Sequence, residues 1–185
     1  MSNQRRRPLT EKESVQDNFW NQDVLREIHT RSPRMLQTFE KVKSVAPTKT
    51  TVLLLGDTGV GKGMVAKLIH QHSSRKDEEF VHVHCGALPD TLVESELFGY
   101  EKGAFTGAAK RKLGRFDKAQ KGTIFLDDVN TISETMQIKL LQVLQERIFQ
   151  RVGGESPIEA DVRVIAASNS DLQQLCHEGL FRKDL

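Results

Sequence analysis

Thr51-Val-Leu-Leu-Leu-Gly-Asp-Thr-Gly-Val-Gly-Lys62 joins a short aliphatic run to a glycine-rich loop that ends in lysine. Val52 to Leu55 is purely aliphatic and too short for a stable helix, so Thr51 to Leu55 reads as a buried strand. Gly56, Asp57, Thr58, Gly59, Val60, Gly61 and Lys62 then fit the phosphate-loop pattern G-x-x-x-x-G-K. The glycines permit a wrap in which backbone N–H groups point inward at anionic oxygens. The helix expected from Lys62 to about Gln71 adds favourable partial charge at its N-terminus. Strand, loop and helix together predict a nucleotide-binding site, with Lys62 reaching the outer phosphates. Gly63 follows where such loops usually supply Ser or Thr for Mg2+, which leaves the metal to water and to other side chains.

Outward from this loop, apolar strands alternate with helical segments. Phe80 to His84, Thr123 to Leu126 and Val162 to Ala167 read as strands. Ser32 to Val45 suits a helix with Met35, Phe39 and Val42 on one side. Ser133 to Arg147 suits another, with Met136, Leu140, Leu144 and Ile148 in line. This alternation predicts an α/β fold, a central parallel sheet covered on both faces. Asp127 and Asp128 close the third strand. A carboxylate there, opposite the phosphate loop, is where a Mg2+-water ligand is needed, and the second acid is placed to polarise an attacking water.

With 185 residues and 37% hydrophobic content, the chain can bury one sizeable core but not two full domains. A net charge of +2 gives no strong electrostatic case for nucleic acid or a membrane as direct partner. Residues 1–22, with Arg5-Arg6-Arg7, read as a flexible polar tail, a solvated end or a basic arm, ahead of a core at 23–185. Cys85 and Cys176 lack metal-ligand spacing and read as reduced thiols. No apolar run is long enough to cross a bilayer, so a cytoplasmic protein is expected.

The stretch Glu94 to Ala108, E-S-E-L-F-G-Y-E-K-G-A-F-T-G-A, contains a second unusual loop. Gly103 and Gly107 bracket Ala104, Phe105 and Thr106, so the backbone can turn with positive φ on both sides. Glu101, Lys102, Lys110, Arg111 and Lys112 argue against a buried tip. Either Phe105 tucks back into the core as ordinary packing, or it is held out for a partner. With the phosphate loop and the acidic pair in order around it, the segment closely resembles the AAA+ domain of bacterial sigma-54 activators. The resemblance runs from about Ile28 to Leu185.

That resemblance implies a three-layer P-loop AAA+ core, here without the helical lid and the DNA-binding domain that follow it in the family. It implies ATP and Mg2+ as cofactors and a self-assembled ring, commonly a hexamer. It also implies that Gly103, Ala104, Phe105, Thr106, Gly107 and Ala108 contact sigma-54, with DNA reached only through another domain. Asn169 matches the family's sensor, though by itself it suits a turn. Arg182 matches the first of two arginines that act in trans on a neighbour's ATP, though a surface Arg is otherwise solvated. The second arginine is expected beyond Leu185.

Three positions depart from the family pattern. Gly63 stands where Glu is common, and His84 where an Asn switches the catalytic acid. Asp128 replaces a Glu, drawing the carboxylate back by roughly 1.5 Å. A displacement of about 1 Å can cost on the order of 10²-fold in rate, so both ordinary and slow hydrolysis stay open. His84 reads equally as a structural residue. The leading function is an ATPase module that remodels the sigma-54 polymerase complex. The alternatives are a catalytically weak modulator subunit, another AAA+ machine, or a pure interaction module.

Overall fold

The computed structural model describes residues 32–87 and 89–185, so the expected tail at 1–22 lies outside the described residues. The chain divides into two compact units, Met1–Ser44 and Val45–Leu185. The first holds all but the last residue of helix α1 (Pro33–Val45), whose buried residues Phe39 and Val42 lie three apart on one side, as the periodicity predicts.

In the second unit, four strands form one parallel sheet: β1 (Val52–Leu55), β2 (Phe80–His84), β5 (Thr123–Asp127) and β8 (Arg163–Ser168), in the order β1-β8-β5-β2. All four lie within a residue or so of the apolar runs in the sequence. Helix α2 (Lys62–Gln71) follows β1 directly through the glycine loop. Helices α3 (Asp90–Phe98), α4 (Arg115–Lys118), α5 (Glu134–Glu146) and α6 (Leu172–His177) complete the helical set. Two ribbons of two-residue strands, β3–β4 (Gly99–Tyr100 with Lys112–Leu113) and β6–β7 (Ile148–Phe149 with Ile158–Glu159), are antiparallel. Ile148, expected on the long helix, lies in β6, because Arg147 ends α5 in the left-handed conformation (φ 59°).

Register assigns the two faces of the sheet. Val83, Leu126 and Ala166 share one face, and His82, Phe125 and Ile165 the other. The first face joins Val93 and Leu97 of α3, Phe116 of α4, and Met136, Leu140 and Val143 of α5 in a single apolar cluster. On the second face, Phe125 and Ile165 are fully buried, as is Ile69 of α2. Helices therefore occupy both sides, as expected for a three-layer core. At the β1 edge the cover is thinner: Leu53 is 47% exposed and Leu55 62%.

Two close approaches fix the β3–β4 ribbon. A Cβ added at Gly99 would sit 2.4 Å from the Lys112 carbonyl oxygen, and one at Gly114 would sit 2.4 Å from the Gly99 nitrogen. The strands cross where only glycine fits.

Candidate functional site

Parallel strands deliver their C-terminal ends to one edge of the sheet, and the residues singled out in the sequence meet there. Gly56 N–H donates to the Ser168 carbonyl at 3.2 Å, tying the start of the loop to the end of β8. Gly59 (φ 83°) and Gly61 (φ 94°) adopt left-handed backbone, which turns the loop into the first turn of α2. Lys62 folds back over this loop, donating from Nζ to the carbonyls of Gly56 at 2.8 Å and Asp57 at 3.1 Å. Gly63 sits in the first turn of α2, where an added Cβ would meet the Phe125 ring at 3.7 Å.

Asn169 reaches the same loop, its Nδ2 donating to Thr58 Oγ1 at 3.3 Å. The sensor position implied by the resemblance is thus in hydrogen-bond contact with the phosphate loop. Asp127 closes β5, and its Oδ1 accepts the Asp128 N–H at 3.1 Å. Asp128 itself is left-handed (φ 57°, ψ 48°), a conformation aspartate tolerates better than most residues. His84 Nδ1 stands 3.6 Å from Asp128 Oδ2 and 3.8 Å from Asp127 Oδ2. It lies within electrostatic reach of both acids but beyond hydrogen-bond distance.

Reading the sequence residue by residue missed His82. It shares the more exposed face of β2 with His84, and its Nε2 lies 3.5 Å from Asp127 Oδ2. Its ring also packs on Phe125 at 4.8 Å. The signal was present as His-x-His on a strand, whose i and i+2 side chains share a face. Just past it, Cys85 is buried and its thiol pKa is pushed up to about 12, first by desolvation and then by the charges of Asp127 and Asp128.

Among the described residues, no group of three or more His, Cys, Asp and Glu side chains is arranged to hold a metal ion alone. The half-buried Asp127 carboxylate fits a hard cation that takes its remaining ligands from water and phosphate oxygens. Gly63 contributes no ligand.

The second loop is closed by its own backbone. Gly103 N–H donates to Ala108 O at 2.9 Å, and Ala108 N–H to Phe105 O at 3.0 Å. Gly103 (φ 84°) and Gly107 (φ 102°) supply the positive dihedrals expected of them. Thr106 is exposed, and Phe105 is 46% exposed rather than tucked into the core, while Ala108 is buried. The β6–β7 turn, unnoticed in the sequence, grips the base of this loop. Val152 N–H donates to Gly99 O and Glu101 N–H to Val152 O, each at 3.0 Å. Arg151 Nη1 reaches Glu101 Oε1 at 3.3 Å, and its Nη2 pairs with Asp117.

Arg182 lies apart from these contacts. Its guanidinium donates to both Asp184 carboxylate oxygens, at 2.9 and 2.7 Å, which holds Asp184 below the usual carboxylate range. Its backbone N–H donates to Gln137 Oε1 at 2.8 Å.

The family model described as the Sigma-54 interaction domain matches residues 28–185. The chain is 53% identical over 154 residues to the Nif-specific regulatory protein of Azospirillum lipoferum, covering 83% of this chain and 25% of that protein. It is 46% identical over 158 residues to the regulatory protein AtoC of Escherichia coli K12, covering 85% of this chain and 34% of the other. The chain thus spans about a quarter to a third of the length of these curated relatives. The structure of NtrX from Brucella abortus in complex with ATP superposes with a TM-score of 0.77 at 34% identity, over 94% of this chain and 38% of that one. The structure described as the P-loop NTPase domain of the Sigma-54 transport activator from E. coli, at 19% identity and TM-score 0.57, covers 84% of this chain and 88% of that one and shares the fold. With its matched region taking in the phosphate loop, the acidic strand end and the glycine-bracketed loop, the chain belongs to the sigma-54 interaction domain family.

Proposed function

We propose that this chain is the ATP-driven module of a sigma-54 activator, which binds ATP with Mg2+, hydrolyses it and uses residues 103–108 to act on sigma-54. The observation that carries this reading is the pairing of two loops on one core. The phosphate loop is tied to β8 and touched by Asn169. The Gly103–Ala108 loop stands exposed on a ribbon whose base is packed into the same unit.

In this reading, the Gly56–Gly61 backbone cradles the phosphates, and Lys62 exchanges its loop carbonyls for phosphate oxygens. Bound Mg2+ would neutralise charge on those oxygens. Asp127 would hold the metal through water, and Asp128 would accept the proton of the attacking water. His84, facing both acids, and Asn169, on Thr58, would couple the state of the phosphates to the sheet edge. Arg182 would leave Asp184 to reach a neighbouring subunit's nucleotide in a ring of identical chains. DNA contact would belong to another domain, and the work would be done in the cytoplasm.

The deciding experiment is Thr106→Ala in a sigma-54 transcription assay. Promoter opening is expected to be lost while ATP affinity stays within about twofold; opening at the wild-type level would refute the reading.

A second reading has its own support in Gly63, His84 and Asp128, three departures around one phosphate site. It makes the chain a nucleotide-binding modulator with little turnover, assembling with or opposing an intact activator. Asp128→Glu separates the two. A rise in ATP turnover of about tenfold or more would mean that the short acid limits the rate.

A further inference from the structure

We propose that Tyr100 is a positioning residue, whose ring is the resting seat of Phe105 and sets how readily that side chain is offered to a partner. The Tyr100 and Phe105 rings meet edge to face, with centroids 4.9 Å apart and planes at 64°. Their backbones are held very differently. Tyr100 lies in β3, paired with Lys112 on one side and bridged to Val152 on the other. Both flanking residues hydrogen-bond to Val152. Phe105 hangs on a turn that bonds mainly to itself, between Gly103 and Gly107. An added Cβ at either glycine would meet nothing within 4 Å, so the tip between Ala104, which abuts Gly153, and the buried Ala108 has room to shift. A fixed ring thus faces a movable one. Phe105 remains 46% exposed in the seat, so the contact withholds part of its ring from a partner and leaves the rest open.

An edge-to-face pair shifts a two-state population by roughly two- to tenfold, enough to bias a loop without locking it. The inference rests on the proposed function only in naming sigma-54 as the protein that Phe105 meets. The seat itself is independent of that name.

The test places 4-fluorophenylalanine at position 105 and records its fluorine resonance in wild type, Tyr100→Phe and Tyr100→Leu. Sigma-54 affinity is measured on the same proteins without nucleotide. Tyr100→Phe, which keeps the ring, is expected to match wild type in both readouts. Tyr100→Leu is expected to move the resonance to its solvent-exposed position and to raise nucleotide-free sigma-54 affinity by roughly two- to tenfold, with ATP affinity unchanged. An unmoved resonance in Tyr100→Leu would overturn the seat. Should that variant misfold, Phe105→Leu gives the converse reading. Tyr100 is the chain's only tyrosine, so loss of its ring-current shift supports the contact and an unchanged signal overturns it. If no protein binds sigma-54, the functional reading fails while the fluorine shift still decides the seat.

Discussion

Cys85 and His70 sit at opposite ends of the sheet, and burial pushes each toward its uncharged form. For Cys85, desolvation and two neighbouring acids leave almost no thiolate at neutral pH. Iodoacetamide at pH 8 should therefore leave Cys85 unmodified in the folded protein and label the half-buried Cys176, read by peptide mass spectrometry. His70 donates to or accepts from Thr123 Oγ1 at 2.9 Å, and desolvation is the main cause of its lowered pKa. Its folded form binds a proton less readily than the unfolded chain does. The stability it contributes is then complete above about pH 6.5 and lost as pH falls through the lower folded value. Urea midpoints should drop between pH 7.5 and pH 5, and His70→Gln should flatten that drop. At this scale the sequence was informative where a residue type has one dominant use, as with Gly56 to Lys62. For His82 it offered only the His-x-His spacing; that the ring lies 3.5 Å from Asp127 depends on the neighbouring strand, whose register pairs His84 with Asp127 and His82 with Phe125.

Elements were legible in proportion to their length. The four sheet strands announce themselves as aliphatic runs, and α2 follows from the loop before it. The β3–β4 and β6–β7 ribbons are two residues a strand, too short to show a period of two. Helix α3 was hidden for another reason. Its sequence D-T-L-V-E-S-E-L-F has no clear apolar stripe, and its buried set includes Ser95 beside Val93, Leu97 and Phe98. The crossing of Gly99 and Gly114 is what these ribbons need most. Gly114→Ala would drive a methyl into backbone, with an expected loss of about 1–3 kcal/mol. Urea denaturation would read this as a lower midpoint, with the phosphate loop left intact.

Across the whole molecule, the fold class followed from the alternation of strands and helices, while assembly did not, because nothing within one chain displays a neighbour. The Arg182–Asp184 pair makes the point. An arginine that acts on another subunit has no visible substrate in its own. If Arg182 works in trans, Arg182→Ala and Lys62→Ala will each be inactive as ATPases, yet their mixture will recover part of the activity through mixed interfaces. Lack of recovery across mixing ratios, with assembly confirmed by sedimentation, would place Arg182 outside the chemistry.

Among the described residues, β1 pairs with β8 alone, and Leu53 and Leu55 stand exposed along it. Beside them lies an apolar cavity of about 250 Å³ that Leu53, Leu126, Leu140, Val164 and Phe181 help to line. An unprotected strand edge next to greasy surface is a template for self-association. Prepared in isolation, this chain should bind hydrophobic dyes and scatter light as its concentration rises. Leu53→Lys should keep such preparations clear for longer.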